Sequence, residues 1–326
     1  MMTINEIKKS ILNSNTKKTI VFPEGREEKI VEVANKMQEE GLANIVLLFD
    51  SEDEIASNIH KDIETRVIKG NVDKEMLETI LEIRKGRLEE AEAIELVQKR
   101  NYYGSLMMQL DRADGMVCGL NYTTADTLRP ALQIIKTAPD YSIASSVFIM
   151  TKGDQNFLFT DCALNVDPNP KHLSDIAFMA AEFAKQLNVK TVETVMLSYS
   201  TAGSGAGPTV DKVAKAVDRL KGMENESMIF DGEMQFDSAF VKSVRDKKYP
   251  NCKLTKEIPD VFVFPDLNAG NIGYKIAQRL GGYEAAGPFI LGLNKPVNDL
   301  SRGATVEDIY QTAIVTVFQS LCKGGK

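Results

Sequence analysis

The chain has 326 residues, which exceeds the size at which one hydrophobic core usually keeps growing, so we expect two domains. Its composition is that of an ordinary globular protein, with 43% hydrophobic and 26% charged residues. The net charge of −7 argues against a nucleic-acid partner, because an acidic surface repels phosphates. Any anion site must therefore be built locally from a few basic side chains.

The first residues lack the basic start and apolar block of a signal peptide, and no stretch approaches the ~20 apolar residues that cross a membrane. We therefore expect a cytoplasmic location and no membrane partner. Only two histidines occur, so a histidine-based triad or a His-rich metal site is not expected. The cysteines are widely spaced, which argues against a metal site and a disulfide framework: Cys118, Cys162, Cys252 and Cys322.

Apolar runs that are typical of buried strands alternate with helical patterns along the chain. The predicted strands cover residues 19–23, 44–49, 114–119, 191–199, 228–230 and 261–264. Helical patterns follow them, among them one over 27–39, one that ends near Lys136 and one that runs to Leu280. This alternation predicts an α/β fold in which mainly parallel sheets are covered by helices on both faces.

One region breaks this rhythm. Residues 145–150 and 157–160 flank a polar turn, so they predict an antiparallel hairpin and a change of domain. The first boundary is expected near residue 140 and the second near Gly287-Pro288. Domain I would then comprise residues 1–140 and 288–326, and domain II residues 141–287. The segment 298–308 would face the cleft between them, where small-molecule sites are common.

The segment 298–308 carries the strongest functional signal. Ser301, Arg302 and a flexible glycine precede an apolar helical run over 309–321, and a helix start with a guanidinium beside it suits phosphate. Asp308 adds a carboxylate that could act as a base. Thr305 and Asp308 also fit a helix capping box, so the segment could equally be only a well-capped helix.

Three other strand-to-helix turns carry polar residues. In residues 119–130, Thr123 or Thr124 could cap a helix, and hydroxyls and N–H groups could hold an oxyanion. Arg129 falls about one turn into that helix, and Pro130 is expected only within its first turn. A capped helix with a surface arginine explains the same residues. Together, the turns describe a polar, phosphate-tolerant site without metal ligands.

The second of these turns, residues 198–209, is a glycine- and serine-rich loop that includes Ser200 and Thr201. It lacks the Gly-Lys-Ser/Thr ending of a Walker loop and the spacing of a dinucleotide-binding loop. The third, residues 264–275, contains Asn271, which could cap the following helix, and Tyr274. Both loops could instead be merely flexible or well capped.

Taken together, these segments resemble the phosphate acetyltransferase (phosphotransacetylase) family. The matching blocks occur in the family's order along nearly the whole chain, at residues 124–131, 159–163, 231–237, 263–275 and 298–303. The resemblance implies two α/β/α domains around a cleft, similar to the isocitrate/isopropylmalate dehydrogenase-like architecture, and a homodimer. It also implies reversible acetyl transfer between acetyl phosphate and coenzyme A, with inorganic phosphate as the other product and no tightly bound cofactor.

The resemblance implies roles for particular residues. The family's base falls on Asp308 and its phosphate-handling arginine on Arg302, with Ser301 beside it. A second arginine falls on Arg129, and a third on either Arg84 or Arg87. The remaining candidates for phosphate or coenzyme A contact are Thr123, Thr124, Ser200, Thr201, Asn271 and Tyr274. The family often has cysteine where this chain has Ala304, which argues against a cysteine nucleophile.

A thiol with a pKa of roughly 8.5 needs a base at neutral pH. A direct attack of the coenzyme A thiolate in a ternary complex therefore fits Asp308 as the base. A phosphate butyryltransferase or another short-chain acyltransferase is the nearest alternative. A metal- and nicotinamide-dependent dehydrogenase and a non-catalytic binding protein are less favoured.

Overall fold

The computed structural model describes residues 1–323. Within that range it has twelve α-helices: α1 (Ile4–Leu12), α2 (Glu28–Glu39), α3 (Lys74–Ile83), α4 (Glu90–Val97), α5 (Arg100–Gln109), α6 (Thr124–Pro130), α7 (Pro170–Gln186), α8 (Pro208–Leu220), α9 (Phe236–Phe240), α10 (Lys242–Lys248), α11 (Leu267–Arg279) and α12 (Val306–Lys323). Its strands are β1 (Thr19–Phe22), β2 (Asn44–Phe49), β3 (Glu64–Val67), β4 (Gly115–Cys118), β5 (Ser145–Lys152), β6 (Gln155–Thr160), β7 (Val192–Leu197), β8 (Met228–Met234), β9 (Val261–Val263), β10 (Glu284–Leu291) and β11 (Val297–Asp299).

The chain divides into two compact units. The parallel-sheet unit consists of Ile4–Ala138 and the described residues from Leu293 onward, and the mixed-sheet unit consists of Met1–Thr3 and Pro139–Gly292. The mixed α/β class with mainly parallel sheets is confirmed. The division into folding domains near residues 140 and 288, and the likeness to isocitrate/isopropylmalate dehydrogenases, stay predictions.

The parallel-sheet unit contains a five-stranded sheet in the order β11-β4-β1-β2-β3, and all its neighbouring strands are parallel. Residues Ile20, Val21 and Phe22 of the central strand β1 are fully buried, as its continuous apolar run predicts. Asp299 pairs with Cys118, and Val21 pairs with Met116. The loops that follow β11, β4 and β1 therefore leave the same edge of the sheet side by side.

Helix α12 anchors this sheet because its apolar residues recur at helical spacing. Ile309, Ala313, Ile314 and Val317 are all fully buried, and the helix packs on β1, β4 and α2. The sequence predicts the apolar run from residue 309, and the helix itself begins at Val306. Its first turn thus lies beside the carboxyl ends of the strands.

The mixed-sheet unit contains a six-stranded sheet in the order β10-β5-β6-β9-β7-β8. Strands β5 and β6 form an antiparallel hairpin, which confirms the hairpin predicted over residues 145–160. The pairs β6–β9, β9–β7 and β7–β8 are parallel. Strand β10 pairs antiparallel with β5 and runs through Gly287 and Pro288.

The expectation that Pro130 lies in the first turn of its helix is wrong. Pro130 is the last residue of α6, and the chain continues as a π-helical turn over Ala131–Ile135. Lys136 N–H donates to Ala131 O at 2.9 Å, the wider spacing of that turn. A short helix that changes its hydrogen-bond pattern at this point tolerates a residue without an N–H.

Candidate functional site

The loop after β4 is held by a buried carboxylate from another part of the chain. Glu24, which is 2% exposed, accepts hydrogen bonds from the N–H groups of Gly119, Leu120 and Asn121 at 2.7, 3.0 and 2.6 Å. The expectation that N–H groups of this loop bind an oxyanion is therefore wrong for these three. They already point at an anion of the protein itself.

The start of α6 confirms Thr123 as a cap. Its hydroxyl oxygen accepts from the Asp126 N–H at 3.1 Å and donates to Asp126 Oδ2 at 2.7 Å. The Thr124 hydroxyl donates instead to Asp299 Oδ2 at 2.6 Å. This bond links the first residue of α6 to the last residue of β11, so the two adjacent loops are joined by side chains as well as by the sheet.

The loop between β11 and α12 exposes Ser301 and Arg302 to solvent. Ser301 Oγ accepts from the Gly303 N–H at 3.3 Å, and Lys29 Nζ donates to the Ala304 carbonyl at 2.9 Å. Arg302 forms no ion pair within residues 1–323, unlike Arg26, Arg112 and Arg129. Its guanidinium is thus available to an anion.

Asp308 and Thr305 form a capping box, which is one of the two interpretations that the sequence allows; the other is a catalytic base. Asp308 Oδ2 accepts from both the N–H and the hydroxyl of Thr305 at 2.8 Å, and the Asp308 N–H donates to Thr305 Oγ1 at 3.2 Å. Asp308 is nevertheless exposed. The carboxylate is therefore fixed in place while it still faces solvent, so capping does not exclude chemistry.

A second feature of the parallel-sheet unit is a cavity of about 320 Å³, which we call the basic pocket. Three cationic and two acidic side chains line it together with neutral residues, and the full lining is Arg84, Leu88, Glu92, Leu96, Lys99, Asn101, Tyr102, Asp126, Arg129, Pro130 and Gln133. Arg84 and Arg129 are thus brought together. Arg87 is exposed and does not line the pocket.

Charges in the basic pocket act on Tyr102, which is 7% exposed. Burial raises the pKa of its phenol, while the positive charges of Arg129 and Arg84 lower it. Arg129 also lies 3.5 Å from Asp126, an exposed pair that contributes little to stability. Both arginines can therefore turn to a ligand without breaking a strong ion pair.

The candidate residues Ser200 and Thr201 lie in the mixed-sheet unit and are buried. Ser200 Oγ donates to Glu233 Oε1 at 2.8 Å and accepts from the Gly205 N–H at 2.9 Å. Thr201 Oγ1 accepts from the Gln235 N–H at 2.9 Å. These hydroxyls close the glycine-rich loop upon itself, and their role in substrate binding stays a prediction.

The expectation that Asn271 caps the helix after β9 is wrong. Helix α11 begins four residues earlier, and its cap is Asp266, whose side chain accepts from the Ala269 N–H at 3.0 Å. Asn271 instead donates to the Cys162 carbonyl at 3.1 Å. Tyr274 stacks on Phe148 with ring centroids 4.2 Å apart. Both side chains support the unit's interior, and their contact with substrate stays a prediction.

All four cysteine thiols are poor nucleophiles. Burial raises the pKa of Cys118 and of Cys162 well above the ordinary value. It also raises the pKa of Cys252 to about 12 and that of Cys322 to about 11. Each thiol therefore stays protonated at neutral pH, and only the thiolate is nucleophilic.

No group of three or more His, Cys, Asp or Glu side chains in the described part of the chain is placed to hold a metal ion. Over the same residues, no helix is both long and apolar enough to cross a membrane.

The family described as phosphate acetyl/butaryl transferase matches residues 2–317 of the chain. The chain belongs to this family. A phosphate acetyltransferase of Mycoplasma capricolum subsp. capricolum is 52% identical over 322 residues, which cover 98% of this chain and 100% of that relative. One of Bacillus subtilis is 43% identical over 312 residues, which cover 93% and 94%. A solved phosphotransacetylase from Streptococcus pyogenes superposes with a TM-score of 0.92 at 41% identity, covering 98% of this chain and 99% of that one.

Family membership makes the chain an acyltransferase. The contacts of the parallel-sheet unit also involve three residues to which the sequence analysis assigns no role. Glu24 lies two residues after the end of β1, so the rule that strand ends share one sheet edge could have found it. Asp299 lies inside the matching block 298–303, but neither its type nor its spacing indicates a role. Lys29, whose partner lies 275 positions away, leaves no local signal.

We expect Glu24→Gln to lower the free energy of unfolding by about 2–4 kcal/mol, because one amide cannot accept the three N–H bonds and leaves a buried donor unpaired. Chemical denaturation measures this. The matched control is Glu32→Gln, an exposed carboxylate on α2, which should change stability by less than about 0.5 kcal/mol. Equal effects in the two variants would mean that the loop after β4 does not depend on Glu24.

Proposed function

We propose that the loop after β11 and the first turn of α12 catalyse reversible acetyl transfer between acetyl phosphate and coenzyme A. The activity follows from the family, and relatives at 43–52% identity are named phosphate acetyltransferases. The single observation that carries the site assignment is that Arg302, which has no ion-pair partner in the described residues, stands six positions before a fixed, solvent-facing Asp308.

Phosphate binding is supported by the donors at the start of α12. Among the described residues, no acceptor pairs with the N–H groups of Val306 and Glu307, as is usual in a first helical turn. The helix dipole also favours an anion there. Arg302 would pair with the phosphate oxygens through its planar fork, and the Ser301 hydroxyl would orient them. The charge that develops on the leaving phosphate is thereby stabilised.

The acyl transfer itself needs one base and no protein nucleophile. Asp308 would take the proton from the coenzyme A sulfur, and the thiolate would attack the acetyl carbonyl carbon. The bond from that carbon to the phosphate oxygen then breaks, and inorganic phosphate leaves with the electron pair. The raised pKa values of all four cysteines support a direct transfer, because none of these thiols offers a ready thiolate.

Coenzyme A carries phosphate groups, and the basic pocket supplies cations for them. Arg84, Lys99 and Arg129 line this pocket, and Arg129 lies five positions after Thr124 on α6. At 1.5 Å per residue, the pocket is about 7–8 Å further along that helix than the Thr124–Asp299 bond. We therefore assign Arg84 rather than Arg87 to coenzyme A.

The acyl group is acetyl in this proposal, with butyryl phosphate or another short-chain acyl phosphate as the alternative. A pocket distinguishes substrates that differ by one methylene by only about 1–3 kcal/mol. Comparing kcat/KM for acetyl, propionyl and butyryl phosphate decides between them.

We further propose that the enzyme is a cytoplasmic homodimer. The mixed-sheet unit has a cavity of about 740 Å³ whose lining includes the exposed apolar side chains of Tyr199, Phe236 and Ile276. Ile272 on α11 and Leu280, which directly follows α11, are exposed as well. Exposed apolar patches of this kind commonly mark protein interfaces.

Asp308→Asn should lower kcat by about 100-fold or more, the usual contribution of a general base, while the asparagine oxygen can keep most of the cap. Steady-state assays of thiol-dependent acetyl phosphate consumption measure this, with the thermal midpoint as a check on folding. The control, Glu307→Gln, removes a neighbouring exposed carboxylate in the same helical turn and should leave kcat unchanged. If Asp308→Asn lowers only the thermal midpoint, Asp308 is a cap and not the base.

Arg84→Gln should raise the KM for coenzyme A by about tenfold, as expected when one charge-assisted hydrogen bond is lost, and Arg87→Gln should not. The KM for acetyl phosphate should stay the same in both variants. The two substitutions remove the same group three positions apart, so each controls for the other. A larger effect in Arg87→Gln would move the coenzyme A contact out of the basic pocket.

Ile276→Glu should convert the dimer to monomers without unfolding the chain, because Ile276 is 53% exposed within one copy. Sedimentation velocity measures the mass, and circular dichroism checks the fold. Leu12→Glu is the matched control, since Leu12 is 49% exposed but lies in the parallel-sheet unit. A wild-type chain that sediments as a monomer contradicts this proposal.

A further inference from the structure

Asp299, the last residue of β11, is a buried carboxyl group with an incomplete set of partners. It is 7% exposed, and its Oδ2 accepts the Thr124 hydroxyl at 2.6 Å. Its Oδ1 is buried, and no donor within residues 1–323 reaches it at hydrogen-bond distance. Buried carboxylates are normally fully paired, so this group requires an explanation.

The surroundings of Asp299 disfavour its ionised carboxylate, so this form lowers the stability of the folded chain. Burial raises the pKa of its carboxyl, and the nearby Glu24 raises it further, while the hydroxyls of Thr124 and Thr127 lower it. A group whose pKa is higher in the folded chain contributes its stability at low pH and loses it as pH rises. Packing alone would thus favour a neutral residue here.

Asp299 stands at the junction of the two loops that carry the site. In one direction it bonds to Thr124, the first residue of the helix that places Arg129 in the basic pocket. In the other direction, Ser301 and Arg302 are the second and third residues after it in the chain. Gly119 leaves no free space between the loops, since a Cβ at that position would lie 2.4 Å from Asp299 Oδ1.

We propose that Asp299 is a positioning residue that holds α6 and the Ser301–Arg302 loop in one fixed arrangement through its hydrogen bond with Thr124. This inference rests on the proposed roles of Arg302 and the basic pocket. A displacement of about 1 Å between catalytic and binding groups is enough to cost about 100-fold in rate. The bond to Thr124 joins the two loops directly through their side chains.

The first test removes the bond from its exposed end. Thr124→Val deletes the hydroxyl of an exposed residue, so the chain still folds. We expect kcat/KM to fall by about fivefold or more, the equivalent of one hydrogen bond, with little change in the thermal midpoint. Thr124→Ser keeps the hydroxyl and should restore the rate. A loss of thermal stability with unchanged kcat and KM would make the bond merely structural and would overturn the proposal.

The second test removes the other end and asks whether the two act together. Asp299→Ala should lower kcat/KM as Thr124→Val does, and Asp299→Asn, which keeps an oxygen acceptor, should retain most of the activity. The double variant Thr124→Val/Asp299→Ala should have the same kcat/KM as the less active of the two single variants. Additive losses would show that Thr124 acts on substrate independently, and they would overturn the proposal.

Thr316→Val is the matched control, because it deletes a buried threonine hydroxyl of the same unit that accepts from Asn298 at 2.8 Å. It should lower the thermal midpoint and leave both KM values unchanged. Arg302→Gln, assayed in parallel, distinguishes a wrong site assignment from a wrong positioning role for Asp299. Normal turnover in Arg302→Gln rejects the proposed site, whereas impaired Arg302→Gln with normal Thr124→Val rejects only the positioning role.

Discussion

The three hydrogen bonds that Glu24 accepts from the loop after β4 determine where the parallel-sheet unit can receive an anion. Parallel strands direct their following loops to one sheet edge, and the N–H groups there attract negative charge. In this unit, the N–H groups of the loop after β4 are already bound by the carboxylate of Glu24. The neighbouring loop, with Arg302 and the start of α12, keeps donors that are not committed.

The mixed-sheet unit follows the same rule. Asp161 accepts N–H bonds from Ala163, Leu164 and Asn165, and Glu233 accepts from Ser200 and Gly203. Acidic side chains from the protein thus close loops that a sequence reading takes for ligand sites. A glycine- or hydroxyl-rich loop is therefore a candidate site only when no internal carboxylate satisfies it. Asp161 lies next to its donors in the chain, but Glu233 lies 33 positions from Ser200 and 30 from Gly203, so no local pattern indicates that pairing.

The success of the sequence reading followed the range of the interactions involved. The hairpin over residues 145–160, the parallel strands and the pairing of Thr305 with Asp308 rest on local patterns, and the sequence predicts them. The cap of α11 was misplaced because Asp266 and Asn271 carry the same local signal, and only the contact of Asn271 with Cys162 separates them. Arg84 and Arg87 carry the same side chain just after α3, and only the fold separates them, because Arg84 lines the basic pocket and Arg87 does not. Glu24, 95 positions before Gly119, was beyond any local pattern.

The two oxygens of Asp308 are not equivalent. Oδ2 receives both bonds from Thr305, so the described residues leave Oδ1 without a protein partner on an exposed side chain. With Asp308 as the base, Oδ2 would hold the side chain in place through its bonds with Thr305, and Oδ1 would accept the proton from the thiol. That proton can pass straight to bulk water, so the enzyme would reset after each turnover without an internal relay and without rearranging the helix that holds it.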